Sequence, residues 1–136
     1  MEEIVRSAIT TGPGQYAGAD ESEEIRISVV GVGGGGNNTV NRIYKLGVKG
    51  ARLLVANADR QHLNLIDDGI RKLLIGKAVT KGLGAGGFPE VGAKCAETSR
   101  ADIARELAGT HLLFLCAGMG GGTGTGAAPV VAQIAK

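Results

Sequence analysis

The 136-residue chain has no tryptophan, and aromatic residues make up only 3% of it. A core must therefore be built from Val, Ile, Leu and Ala, the composition of parallel sheets buried on both faces, which favours an α/β architecture over a β-sandwich. The same scarcity removes the aromatic platforms, interleaved with bases, on which single-stranded nucleic acid stacks, so no nucleic-acid partner is expected. The two cysteines, Cys95 and Cys116, have neither CxxC nor zinc-ligand spacing and are too few for a secreted disulfide framework. They read as buried, reduced thiols. No stretch reaches the roughly 18 apolar residues of a membrane helix, and the start, Met1-Glu2-Glu3, lacks the basic and apolar regions of a signal peptide. A cytoplasmic protein with no direct membrane insertion is expected.

Glycine is the residue in excess. There are 24, and 15 of them fall into three clusters: five within 31–36, four within 82–87 and six within 118–126. Low-complexity disorder would scatter glycine without periodic segments between; clusters at segment ends imply three loops meeting at one site. Charge is also uneven. Residues 1–24 carry a net −5 and residues 25–136 a net +7, so the chain divides into an acidic amino-terminal helix or linker, 1–24, and a basic globular part, 25–136, suited to an anionic ligand.

In chain order, residues 2–9 suit a short amphipathic helix and 10–24 a linker. Alternation over 25–30 predicts a first strand feeding the first glycine cluster. Val40, Ile43 and Tyr44 then mark a helix ending near Gly47. Residues 53–56 read as a second strand, 62–66 as a short helix or turn, and 72–75 as a short third strand. Pro89 suits a first helical position. Ser99 and Asp102 could form a capping box dividing 90–108 into two helices. Residues 112–117 have the length and composition of a buried fourth strand, and 127–135 a helical pattern with Pro129 in its first turn. Strands alternating with helices predict a Rossmann-like doubly wound, mainly parallel sheet, and all three glycine loops fall after strands, where such sheets bind ligands.

Residues 31–36, Gly-Val-Gly-Gly-Gly-Gly, satisfy the G-x-G-x-x-G fingerprint, with Asp59 at 23 residues beyond Gly36. That pattern alone suggests a Rossmann-type NAD(P)- or FAD-binding oxidoreductase. The pair Asn37-Asn38 and two further glycine loops pull away from it, since they imply more phosphate than one pyrophosphate requires. A Walker A loop is absent, because Gly76-Lys77 is followed by Ala78. The seven residues 120–126, Gly-Gly-Gly-Thr-Gly-Thr-Gly, stand between the fourth strand and the last helix. They read as a phosphate cradle in which backbone N–H groups and a helix dipole converge, with Thr123 and Thr125 adding hydroxyls.

This seven-residue stretch resembles the signature of the tubulin and FtsZ family of GTPases. Residues 31–38, Asn57-Ala58-Asp59, 82–89 and 127–131 also resemble that family in the right order, in archaeal style, so the resemblance covers 25–136. It implies GTP or GDP with Mg²⁺ as ligands. It further implies that Gly34, Gly35, Gly36, Asn37 and Asn38 wrap the nucleotide, and that Asn57 and Asp59 reach sugar, phosphate or magnesium, Asp59 being the metal candidate through an indirect contact. By the same resemblance Ala85, Gly86 and Gly87 sense the γ-phosphate, and Gly120, Gly121, Gly122, Thr123, Gly124, Thr125 and Gly126 hold the α and β phosphates. Ala58 departs from the threonine of bacterial members, removing one hydroxyl contact. The implied partners are further copies of the chain, assembled head to tail, and division-machinery proteins.

The chain ends at Lys136 inside a helical pattern, so it is expected to be the first part of a GTPase domain. The family's water-activating acidic loop and most guanine-reading residues would lie beyond it, leaving no catalytic residue within this chain. Such a piece is expected to bind nucleotide without hydrolysing it efficiently, and could act as a non-catalytic filament cap. With the fourth strand at an open edge, it is also expected to self-associate or swap strands. His62 and His111 have no ligand-spaced partner and read as structural; Asp67-Asp68 reads as a solvated turn.

Overall fold

The structure of the chain, a computed structural model, describes residues 25–118 and 122–136. The expected helix and linker over 1–24, and Gly120 and Gly121 of the signature, lie outside the described residues. The centre of the fold is β1 (Ile27–Val32), all six of whose residues are buried. It pairs in parallel with β2 (Ala51–Asn57) on one side and β4 (Leu112–Ala117) on the other, and β3 (Arg71–Leu74) adds to β2 in parallel. The sheet order is β3-β2-β1-β4.

The period-2 alternation of these strands sends side chains to two separate cores. Val30, Val32, Leu54 and Ala56 pack with Ile75, Cys95, Ile103 and Val131 on the face covered by α4 (Pro89–Thr98), α5 (Arg100–Leu107) and α6 (Gly122–Ala135). Val29 and Val55 pack with Val40, Leu63, Ile66 and Ile70 on the other face, beneath α1 (Gly33–Lys45) and the short α2 (Arg60–Asn64). Fully burying one such side chain contributes roughly 1.5–3 kcal/mol. Aliphatic residues dominate both layers, with Cys95 in the first and Phe114 and Cys116 packed against the second. The sheet is the doubly wound parallel one that the sequence predicts.

Several boundaries differ, each for a local reason. β1 starts and ends two residues later than the alternation over 25–30 implies: Gly31 is a strand residue, where α1's first turn crosses so closely that a Cβ would meet the Gly36 carbonyl. α6 begins at Gly122, five residues before the expected 127, so Pro129 lies inside the helix and not in its first turn. Tertiary packing overrides glycine's poor helix propensity there. A one-turn helix, α3 (Lys77–Thr80), occupies a connection read as loop, between the left-handed residues Gly76 and Lys81. Ser99 does divide α4 from α5, but without the capping box: its side chain makes no cap bond, and its Oγ accepts the Gly76 N–H at 2.8 Å. Gly47, with φ of 78°, closes α1 as expected, its N–H donating to the Tyr44 carbonyl.

The amino ends of the strands are joined by side chains. The Glu106 carboxylate in α5 accepts from Arg52 Nη2 at 2.8 Å and Arg71 Nη2 at 2.7 Å, linking α5 to β2 and β3. The Arg71 hydrogen bond, and then the surrounding guanidinium charges, hold the Glu106 carboxyl below its ordinary range against a desolvation effect that acts the other way. His111 Nδ1 accepts the Arg26 N–H, a structural role. Cys95 and Cys116 are free, and burial pushes both thiols up, which keeps them protonated and poorly reactive.

Candidate functional site

α1 leaves β1 toward one face of the sheet and α6 follows β4 toward the other. The carboxyl ends of β1 and β4 are therefore the topological switch point, the place where open parallel sheets form a crevice. The two helix starts touch there. A Cβ on Gly33, whose φ is 76°, would stand 2.7 Å from the Gly124 nitrogen, and only glycine permits both that backbone conformation and that approach. Neither helix has an acidic residue in its first turn, and the α1 N-cap, Val32, offers no side-chain acceptor. Unsatisfied amides and two positive dipole ends therefore face one small volume, the physical requirement for binding an anion.

That volume is a cleft of about 480 Å³. From the first cluster Gly34 and Gly35 line it; from the last, Gly118, Gly122, Thr123 and Gly124. After β2, Asn57 and Asp59 form a rigid corner. Asn57 Oδ1 accepts the N–H groups of Ala58 at 2.8 Å and Asp59 at 3.3 Å, and Asp59 Oδ1 caps α2 by accepting from Gln61 at 3.0 Å and His62 at 3.3 Å. The opposite wall is the loop 83–87, which contains Ala85, Gly86 and Gly87. It is fastened to the β2 corner by the Asp59–Leu83 bridge, by Gly84 N–H to the Ala58 carbonyl at 3.0 Å and by Arg60 N–H to the Gly82 carbonyl at 2.9 Å. Three loops far apart in sequence thus meet in one cleft.

Other sequence-named residues stand elsewhere. Gly36 packs against the Cys116 carbonyl beneath α1, and Gly126 packs against the Pro89 carbonyl. Asn37 is fully buried, with neither amide atom partnered among the described residues, and Asn38 is exposed on α1 outside the cleft lining. Thr125 is a half-buried residue of α6, also outside that lining. Conversely, Leu83, Gly84 and Gly118 line the cleft without having been singled out, and so does His62, which the sequence reads as structural. The two glycines belong to clusters visible in the sequence. His62 carries no such signal, because only the folding of α2 against α1 places it in the wall. Among the described residues no group of three or more His, Cys, Asp or Glu side chains could hold a metal by itself.

A glycine-walled anion cleft at the switch point of a doubly wound parallel sheet defines a phosphate-binding α/β domain. Residues 26–136 match the model of the Tubulin/FtsZ family, GTPase domain, and the chain belongs to that family. It is 49% identical over 133 residues to cell division protein FtsZ 2 of Methanocaldococcus jannaschii, covering 98% of this chain and 35% of that protein. It is 56% identical over 113 residues to cell division protein FtsZ 2 of Pyrococcus furiosus, covering 83% of this chain and 28% of that one.

Among solved structures it superposes on the empty FtsZ dimer of M. jannaschii with a TM-score of 0.79 and 44% identity, over 84% of this chain and 33% of that one. For the GTPγS-bound CetZ2 protofilament of Haloferax volcanii the TM-score is 0.69 and the identity 27%, over 80% and 35%. The chain spans about a third of the length of the curated relatives it matches. Residues 31–36, the end of β1 and the first turn of α1, therefore belong to a tubulin-type GTPase domain, which replaces the oxidoreductase reading. No helix among the described residues is long and apolar enough to cross a membrane.

Proposed function

We propose that the cleft binds the phosphates of GTP or GDP and that the chain supplies the nucleotide-binding part of a cytoplasmic GTPase polymerising head to tail in cell division. The observation that carries this reading is the meeting of two helix starts, neither with an acidic residue in its first turn, across a glycine-walled cleft. Family membership makes guanine nucleotide the specific choice, and the relatives named for cell division and the protofilament structure support the assembly role. In this reading Gly34, Gly35, Gly122, Thr123 and Gly124 receive the phosphates, together with Gly120 and Gly121. Ala85, Gly86 and Gly87 approach the terminal phosphate from the opposite wall. Asn38, exposed in the second turn of α1, would meet a part of the nucleotide that extends out of the cleft.

Mg²⁺ fits only as a shared ligand. Asp59 is the one carboxylate in the lining among the described residues, and Mg²⁺ takes one or two carboxylates together with phosphate oxygens and water. Bound there, the ion would neutralise phosphate charge, while Asp59 continues to cap α2. In this reading these residues bind the nucleotide, and the groups that activate the hydrolytic water are supplied from outside this cleft. Calorimetric titration with GTP, ATP and NAD, each with and without Mg²⁺, tests the reading. Binding of GTP and GDP above ATP is expected; preference for NAD overturns it.

A further inference from the structure

We infer that His62 is a further ligand of the nucleotide, its imidazole donating a hydrogen bond from Nε2 to a phosphate oxygen; the inference rests on the nucleotide reading of the cleft. His62 stands in the cleft wall on α2, and the tip of its ring faces the first turn of α1. A Cβ built on Gly34 would lie 3.2 Å from Nε2 and 3.6 and 3.7 Å from the two ring carbons beside it. The other nitrogen, Nδ1, is sealed from solvent and has no hydrogen-bond partner among the described residues. Neutral imidazole carries one N–H and one lone pair. A buried N–H with no acceptor is costly, so the proton belongs on Nε2, whose side of the ring opens toward the cleft. With the proton on Nε2, the ring presents a donor beside Gly34, in the first turn of α1 and in the cleft lining.

The lining makes that donor significant. It contains no lysine or arginine among the described residues, so phosphate charge is met by backbone dipoles and by the few polar side chains present, Asn57, Thr123 and His62. Asn57 has its oxygen committed to the corner, and the Asp59 carboxylate accepts main-chain N–H groups, including that of His62, and makes no hydrogen bond to the ring among the described residues. His62 is also the largest of the three and the one that spans from α2 to α1. Glycine at position 34 leaves the ring tip uncovered, so ligand and imidazole can meet.

The test is GDP titration of the full chain and of H62L and H62Q by calorimetry, with ring-nitrogen NMR of the wild type as a second readout. H62L should bind GDP about tenfold more weakly, whereas H62Q, which keeps an N–H donor, should stay within about threefold of wild type. The His62 ring resonances should shift on adding GDP and remain in place on adding guanosine, which has no phosphate. A purely structural histidine would give neither the rescue by glutamine nor the phosphate-dependent shift. Should H62L fail to fold, the ring resonances decide alone. Wild-type affinity in H62L, or a ring indifferent to GDP, overturns the inference while leaving the cleft reading intact; a wild-type chain that binds no nucleotide removes both.

Discussion

At the amino ends of the strands, side chains hold the layers together: Glu106 clasps Arg52 and Arg71, the Ser28 and Thr110 hydroxyls meet at 2.9 Å, and His111 receives the Arg26 N–H. At the carboxyl ends, backbone meets backbone. Gly33 abuts Gly124, Gly36 the Cys116 carbonyl, Gly92 the Gly122 carbonyl and Gly126 the Pro89 carbonyl. Side-chain clasps adjust their rotamers and share their bonds with water, so one can weaken without the layers separating. Close backbone contacts have no such slack, because an added methyl must displace a whole element. The difference also serves chemistry, since a wall made of main chain turns N–H groups toward a ligand where a clasp would consume them.

This contrast can be broken in graded steps. Gly36→Ala should have the largest effect: its methyl would fall on the Cys116 carbonyl, and the loss should be about 3 kcal/mol or more, read from the chemical-denaturation midpoint. A variant as stable as wild type would mean that α1 and β4 are not locked by contact.

Glu106→Gln comes next and should lower the melting temperature by only a few degrees, because clasps between exposed arginines and one carboxylate are screened. Its pH dependence has a definite sign. The folded Glu106 carboxyl is held below its ordinary value of 4.5, so its contribution is complete above that value and disappears as pH falls through the lower, folded one. The stability gap between wild type and Glu106→Gln should therefore be flat near neutrality and close below about pH 4.5; a gap that widens in acid would reverse the assignment.

Gly34→Ala should leave stability within about 1 kcal/mol, since its methyl meets only a movable ring tip, yet weaken nucleotide binding several-fold by pressing on His62. Melting and titration of the same sample separate the two effects. Smallest of all, Leu83→Ser at a position 82% exposed should change stability by less than about 0.5 kcal/mol.

Much of the fold is legible in the chain because strand residues carry a period-2 code that survives any tertiary context. β4 appears over the residues expected, β2 and β3 within a few, and the order of strands follows from short, right-handed connections. The misses fall where contact between distant segments decides. Nothing local says that Gly31 belongs to a strand, or that the Thr-Gly-Thr-Gly run of 123–126 winds into α6; both follow from elements passing at backbone distance. The glycine clusters announced three loops of one cleft, but which members face inward depends on helical phase. Thus Gly34 and Gly35 line the space while Gly36 and Asn37 turn into the protein. His62 was illegible for the same reason, as its neighbour Gly34 lies 28 residues earlier in the sequence.

The glycine-to-carbonyl contacts of the cleft end have a consequence for genetics. Every missense change of a glycine codon adds at least a methyl, so at Gly36, Gly92 and Gly126 no substitution is conservative. A random-mutagenesis screen scored by activity would register these positions as functional hot spots, although their loss would first appear as missing soluble protein. Scoring abundance alongside activity should separate them from Gly34, where the neighbouring ring can move aside and the protein should persist in the cell with its affinity altered.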